Sequence, residues 1–99
     1  MTISENKNGD STELVITGRL DTTTAPQLES KLKEAAKSCR ALVMNLQAVE
    51  YISSAGLRVV LLAHKLMMGQ NGKMTIKSPS EFCRQVFEAT GMDGVLSIV

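Results

Sequence analysis

The residues best placed to do chemistry in this chain are two adjacent hydroxyls, Ser53 and Ser54, in the run Tyr51-Ile52-Ser53-Ser54-Ala55-Gly56-Leu57. They stand where an apolar, strand-like segment gives way to an apolar-periodic helix. The first turn of a helix leaves backbone N–H groups unpaired, so a serine there can cap them. The same donors and the helix dipole would favour a phosphate carried by such a serine. A cap and a phosphorylation switch thus ask for the same residue type in the same place. Locally the cap is the commoner role, worth about 1 kcal/mol.

Other chemistry has few carriers. There is no HExxH, GxSxG, Walker loop or GxGxxG, and no Cys/His/Asp set in a catalytic order, so no enzyme, metal or cofactor is expected. A nucleotide held at the strand-to-helix turn would rest on Gly56 alone, a weak signal. Cys39 and Cys83 belong to no CxxC or Cys/His ligand set and read as reduced, partly buried thiols. His64 falls on an apolar helical stripe with no second catalytic group in view, and reads as a core histidine.

The elements that must position the serines are legible in outline. Thr2 to Lys7 suits a short edge strand. Asn8-Gly9-Asp10 is a hairpin turn signal, and Glu13 to Thr17 is the returning strand, ended by Gly18. Asp21 to Thr24 form a polar loop, with Thr24 as cap of a helix from Ala25 to about Lys37 that tolerates Pro26 in its first turn. Arg40 to Leu46 follows as a nearly continuous apolar strand. Gln47 to Tyr51 read as a connection to a helix beginning near Ser54 and stopped by Gly69 to Gly72. Lys73 to Lys77 alternate as a half-buried strand. Ser80 caps a third helix whose buried stripe is Phe82, Val86, Phe87 and Cys83, with Gly91 as its end. Val95 to Val99 supply a last strand.

The order β-β-α-β-α-β-α-β predicts an α/β fold with a mixed sheet of four or five strands and helices mainly on one face. A chain of 99 residues suits one domain, 1–99. A net charge of +1 with one Tyr, two Phe and no Trp speaks against nucleic acid as a partner. No apolar run approaches the roughly 18 residues of a membrane span, and the N-terminus carries no signal peptide, so a soluble, cytoplasmic protein is expected.

On the helix after the serines, Leu57, Val60, Leu61, His64, Met67 and Met68 keep the i, i+3, i+4, i+7 spacing of a core face. Val59, Leu62 and Leu66 form a second apolar stripe on the other side, flanked by Arg58 and Lys65. A helix lying on one face of a sheet should be polar there, so this stripe predicts a partner-binding surface.

The segment Leu42-Val43-Met44-Asn45-Leu46, a short spacer, and Tyr51-Ile52-Ser53-Ser54-Ala55-Gly56-Leu57 resembles the signature of STAS domains, and within them the bacterial anti-sigma factor antagonists. Gly18-Arg19-Leu20-Asp21, Gly72-Lys73-Met74 and Val86-Phe87 with Gly91-Met92 support the likeness, which covers essentially the whole chain. It implies a partner switch. The unphosphorylated protein would bind an anti-sigma factor that is also a GHKL-type serine kinase, and so free a sigma factor. The kinase would phosphorylate a serine at the helix start and break the complex, and a metal-dependent serine phosphatase would restore it. By motif position the acceptor is Ser54, with Ser53 as the alternative because it stands where the family often has aspartate. The family's loop aspartate falls on Asp21. The implied docking surface comprises Asp21, Thr22, Ser53, Ala55, Gly56, Arg58, Val59, Leu62 and Leu66, with Ala55 and Gly56 small enough to let another active site approach. The alternative within this fold is a STAS subunit that is never phosphorylated and acts as a scaffold or a transporter-associated regulator.

Overall fold

The computed structural model describes residues 1–99. Strands β1 (Thr2–Asn8) and β2 (Ser11–Leu20) pair as an antiparallel hairpin around Gly9-Asp10. Three parallel crossovers follow: α1 (Ala25–Ala36) to β3 (Ala41–Ile52), α2 (Ser54–Gly69) to β4 (Lys73–Lys77), and α3 (Glu81–Thr90) with a 3-10 turn at Met92–Gly94 to β5 (Ser97–Ile98). The five-stranded sheet has the order β1-β2-β3-β4-β5, so each crossover moves one strand onward in the same direction. Right-handed crossovers of that kind leave their helices on one side.

Burial follows the same division. Thr12, Leu14 and Ile16 of β2, Leu42, Met44 and Leu46 of β3, and Met74 and Ile76 of β4 are all buried. Their alternating neighbours Glu13, Val15, Val43, Asn45 and Thr75 are only partly so. The expected α/β fold with helices mainly on one face is the fold found. Leu28, Leu32, Ala35 and Ala36 of α1 and Val60, Ala63 and Met67 of α2 close the core, which continues into Cys83 and Phe87 of α3. No helix is long and apolar enough to cross a membrane.

Several boundaries differ from the sequence expectation. Gly18 does not end β2: with φ of 104° it sits in an irregular stretch, and the strand runs on to Leu20. Gln47 to Tyr51 are strand rather than connection. Val15 faces Asn45, Thr17 faces Ala48 and Arg19 faces Tyr51, so β3 carries extra residues against β2. Such bulges break the two-residue period: the first puts Val49 inside out of step with Leu46, and the second restores the step so that Ile52 is buried as well. The final strand shrinks to Ser97–Ile98 because Met92–Gly94 wind into a 3-10 turn.

The stripe on α2 is also turned. Gly56, Val59, Val60, Ala63 and Met67 are its buried residues, whereas Met68, expected in the core, is 59% exposed. Phe82, likewise expected inside α3, is 38% exposed, and the buried pair there is Cys83 and Phe87. Both thiols are free and buried, and burial pushes each of them up from the ordinary cysteine range. They are therefore poor nucleophiles.

The two faces of β3 predict different tolerances. Leu42→Ala should lower stability by about 2–5 kcal/mol, seen as a lower urea midpoint at unchanged slope. Val43→Thr, on the partly open face, should cost about 1 kcal/mol or less by the same measurement.

Candidate functional site

The serine pair lies at the carboxyl end of the parallel strands, where β3 turns into α2. Ser53, in extended conformation with ψ of 176°, is the N-cap. Its hydroxyl oxygen accepts from the Gly56 N–H at 3.4 Å, and its carbonyl accepts from the Leu57 N–H at 2.9 Å. Its own N–H donates to the Leu20 carbonyl at 2.9 Å, which ties the corner to the end of β2. Ser53 is half-buried, and Ser54, the first residue of the helix, is exposed. The cap and the free hydroxyl are thus neighbouring residues, not one residue with two roles.

Gly56 is fixed by packing. A Cβ there would stand 2.7 Å from Leu20 Cγ, 2.8 Å from the Leu20 carbonyl oxygen and 2.9 Å from Ile52 Cγ1. Its smallness lets the first turn of α2 press on the ends of β2 and β3. That corrects the expectation that Gly56 is bare surface for an approaching partner. Val59, only 5% exposed, is likewise removed from the docking surface and belongs to the core. Leu66 is half-buried and packs against the core, as does Ala55. The outward face of α2 is Ser54, Arg58 and Lys65, with Leu61 and Leu62 half-buried and Met68 exposed. The reason is a single 100° step: placing Val59 and Ala63 inward turns Leu61 and Met68 out.

The loop after β2 stands beside this corner because Leu20 pairs with Ile52. Asp21 organises it. One carboxylate oxygen accepts from the Thr23 N–H at 3.0 Å and the Thr24 N–H at 3.1 Å, and lies 3.2 Å from the Thr24 hydroxyl, whose single proton it shares with the Arg19 carbonyl. The Thr24 N–H foremost, with the Thr23 N–H, the Thr24 hydroxyl and the Arg19 charge, holds this carboxyl below the ordinary aspartate range, against an opposing push from burial. Thr24 makes no side-chain cap to α1, contrary to expectation. Its hydroxyl instead donates to the Arg19 carbonyl at 2.8 Å and accepts from the Asp21 N–H at 2.9 Å. Asp21 takes over the task of holding the loop, and Thr22 projects exposed from it.

One feature of the corner escaped the sequence reading. The Arg19 guanidinium lies 4.2 Å from the centre of the Tyr51 ring, and the Tyr51 and Phe82 rings meet at 5.2 Å with an interplanar angle of 44°. No local pattern marks it: Arg19 and Tyr51 become neighbours only through the bulged register of β2 on β3. Phe82 was hidden by counting it among the core stripe of α3.

The STAS domain model matches residues 3–99. This chain belongs to the STAS domain family. It is 28% identical over 96 residues to the anti-sigma-B factor antagonist of Bacillus subtilis, covering 97% of this chain and 88% of that one. It is 35% identical over 82 residues to BtrV of Bordetella bronchiseptica, a provisionally named anti-sigma factor antagonist, covering 82% and 71%. Among solved structures, an anti-sigma factor antagonist from Mycobacterium paratuberculosis superposes with a TM-score of 0.89 at 26% identity, covering 98% and 83%. The STAS expectation thus holds for fold and family together.

The corner makes three tests. Gly56→Ala should destabilise by about 1–3 kcal/mol through overpacking, although alanine is the better helix former by about 1 kcal/mol. Ser53→Ala should cost about 1 kcal/mol as a lost cap, and Ser54→Ala no more than about 0.5 kcal/mol. Chemical denaturation of the three variants checks the order. Because the folded-state pKa of Asp21 is depressed, its contribution is present above the ordinary aspartate pKa and lost as pH falls through the folded value. The stability gap between wild type and Asp21→Asn should therefore shrink on acidification from neutral pH.

Proposed function

We propose that this chain is an anti-sigma factor antagonist that switches partners through phosphorylation of Ser54. Unphosphorylated, it binds a GHKL-type serine kinase that also acts as the anti-sigma factor, and a sigma factor is released. Phosphorylation by that kinase ends the complex, and a metal-dependent serine phosphatase renews it, all in the cytoplasm. The observation that carries the choice of acceptor is the division of labour at the corner: the Ser53 hydroxyl is engaged as the cap while Ser54 is exposed beside it. The names of the curated relatives support the wider role.

The chemistry asks little of this protein. It offers one hydroxyl, and nucleotide, metal and base belong to the kinase. A phosphoserine adds about −1.5 to −2 charge at neutral pH. In the free protein that charge sits at the first turn of α2, where the dipole and the unpaired N–H groups favour an anion. In a complex it would be covered by the partner, losing hydration worth several kcal/mol unless the partner adds cations to the one charge of Arg58 a turn away. A penalty of about 2.8 kcal/mol already weakens binding roughly 100-fold. The complex is destabilised and the monomer is not.

Ser54→Ala should bind the kinase as wild type does and take up no phosphate, while Ser54→Asp should bind roughly 100-fold more weakly. Calorimetric titration against the kinase, with phosphate mapping by mass spectrometry, checks both. Phosphate on Ser54→Ala would move the acceptor to Ser53. Tight kinase binding by Ser54→Asp together with an unphosphorylated wild type would overturn the switch.

A further inference from the structure

Tyr51 and Phe82 are two of the three aromatic residues in a chain with no tryptophan, and neither is in the core. Together with Arg19, whose side chain is 56% exposed, they make a ridge from the end of β2 across β3 to the first turn of α3. Fold stability gives no reason for this ridge, since Cys83 and Phe87 already supply the buried residues of α3. The third element of the ridge is held to the second: the Ser80 N–H donates to the Leu46 carbonyl at 3.2 Å, and the Ser80 hydroxyl caps α3 through Cys83 N at 3.2 Å. Phe82 is therefore presented on a fixed helical turn.

Its position relative to Ser54 is bounded by the chain itself. Tyr51 and Ser54 are three positions apart, so their Cα atoms are within about 11 Å. A partner of standard interface size covers about 800 Å² on this side, a disc of roughly 16 Å radius. A protein centred on Ser54 thus reaches the ridge. Aromatic and arginine side chains, presented rigidly, are the types that dominate binding energy in such footprints.

We propose that Arg19, Tyr51 and Phe82 form the anchor of the kinase-binding surface, an inference that rests on the partner-switch reading above. The partner would offer an apolar pocket to Phe82 and a carboxylate to Arg19. The guanidinium has Asp21 Oδ2 at 3.8 Å and the Tyr51 ring at 4.2 Å, and with its side chain 56% exposed it keeps donors open to a second carboxylate. The anchor is built on β2, β3 and α3 and not on α2, so it supplies affinity while Ser54 supplies the control.

Tyr51, the single tyrosine, allows a direct test. The full chain carrying 3-fluorotyrosine gives one fluorine resonance from this residue, to be followed on adding the purified kinase. Calorimetry then compares wild type, Arg19→Ala, Phe82→Ala and Phe82→Leu, with thermal melts confirming folding. The expected result is a shifted or broadened resonance, with binding weakened about tenfold or more by Phe82→Ala and less by Phe82→Leu. Kinase binding with an unmoved resonance and wild-type affinity in every variant overturns the anchor and leaves the switch standing. No binding by wild type overturns the switch reading and the anchor with it. A resonance that moves with protein concentration alone assigns the ridge to self-association and also overturns the proposal.

Discussion

The first turn of α2 is held against the end of β2 at a distance that no side chain other than hydrogen permits. Gly56 sits where a Cβ would meet both the side chain and the carbonyl of Leu20, and the Ser53 N–H donates to that same carbonyl. This contact sets the rotation of α2. With Gly56 inward, Val59, Val60, Ala63 and Met67 follow it into the core, and Ser54, Arg58 and Lys65 are turned out. It also brings the Asp21 loop to the serine corner, because the end of β2 cannot move away from the helix that presses on it. The outward face of α2 is a consequence of core packing.

The same corner separates two tasks that a lone serine would confuse. A capping hydroxyl is engaged with a backbone N–H and sits close to the chain. Ser53 takes that role, so Ser54 can be exposed at no cost to the helix. A phosphate on Ser54, as proposed, would meet a first turn that is already capped and a dipole that still favours an anion. Asp21 serves the geometry in a comparable way. Its carboxylate organises the β2–α1 loop and so sets the shape of the surface beside the serine corner.

Most elements could be placed from the sequence because local signals agree with the fold. Asn8-Gly9 marks the hairpin, Ser80 and Gly91 bracket α3, and the apolar run of β3 has the composition of a strand flanked on both edges. The misplacements share a cause. Gln47 to Tyr51 looked irregular because a bulge against β2 shifts which residues point inward, and a bulge depends on the partner strand. Thr24 stands at the position of a cap, but its hydroxyl is engaged by the Arg19 carbonyl and the Asp21 N–H, and the Gln27 N–H goes to the Thr24 carbonyl instead.

The sequence by itself determined the family, the element order and the presence of a serine at the head of an apolar helix, because each is written in local composition and spacing. Tertiary structure alone decided which serine is free, which side of α2 is outside and where Phe82 goes. On a helix with apolar residues nearly all round, the periodicity fits more than one rotation, and the choice is made by the surface it packs on. Here that surface is the close approach of Gly56 to Leu20, a contact between residues 36 positions apart that no local pattern records.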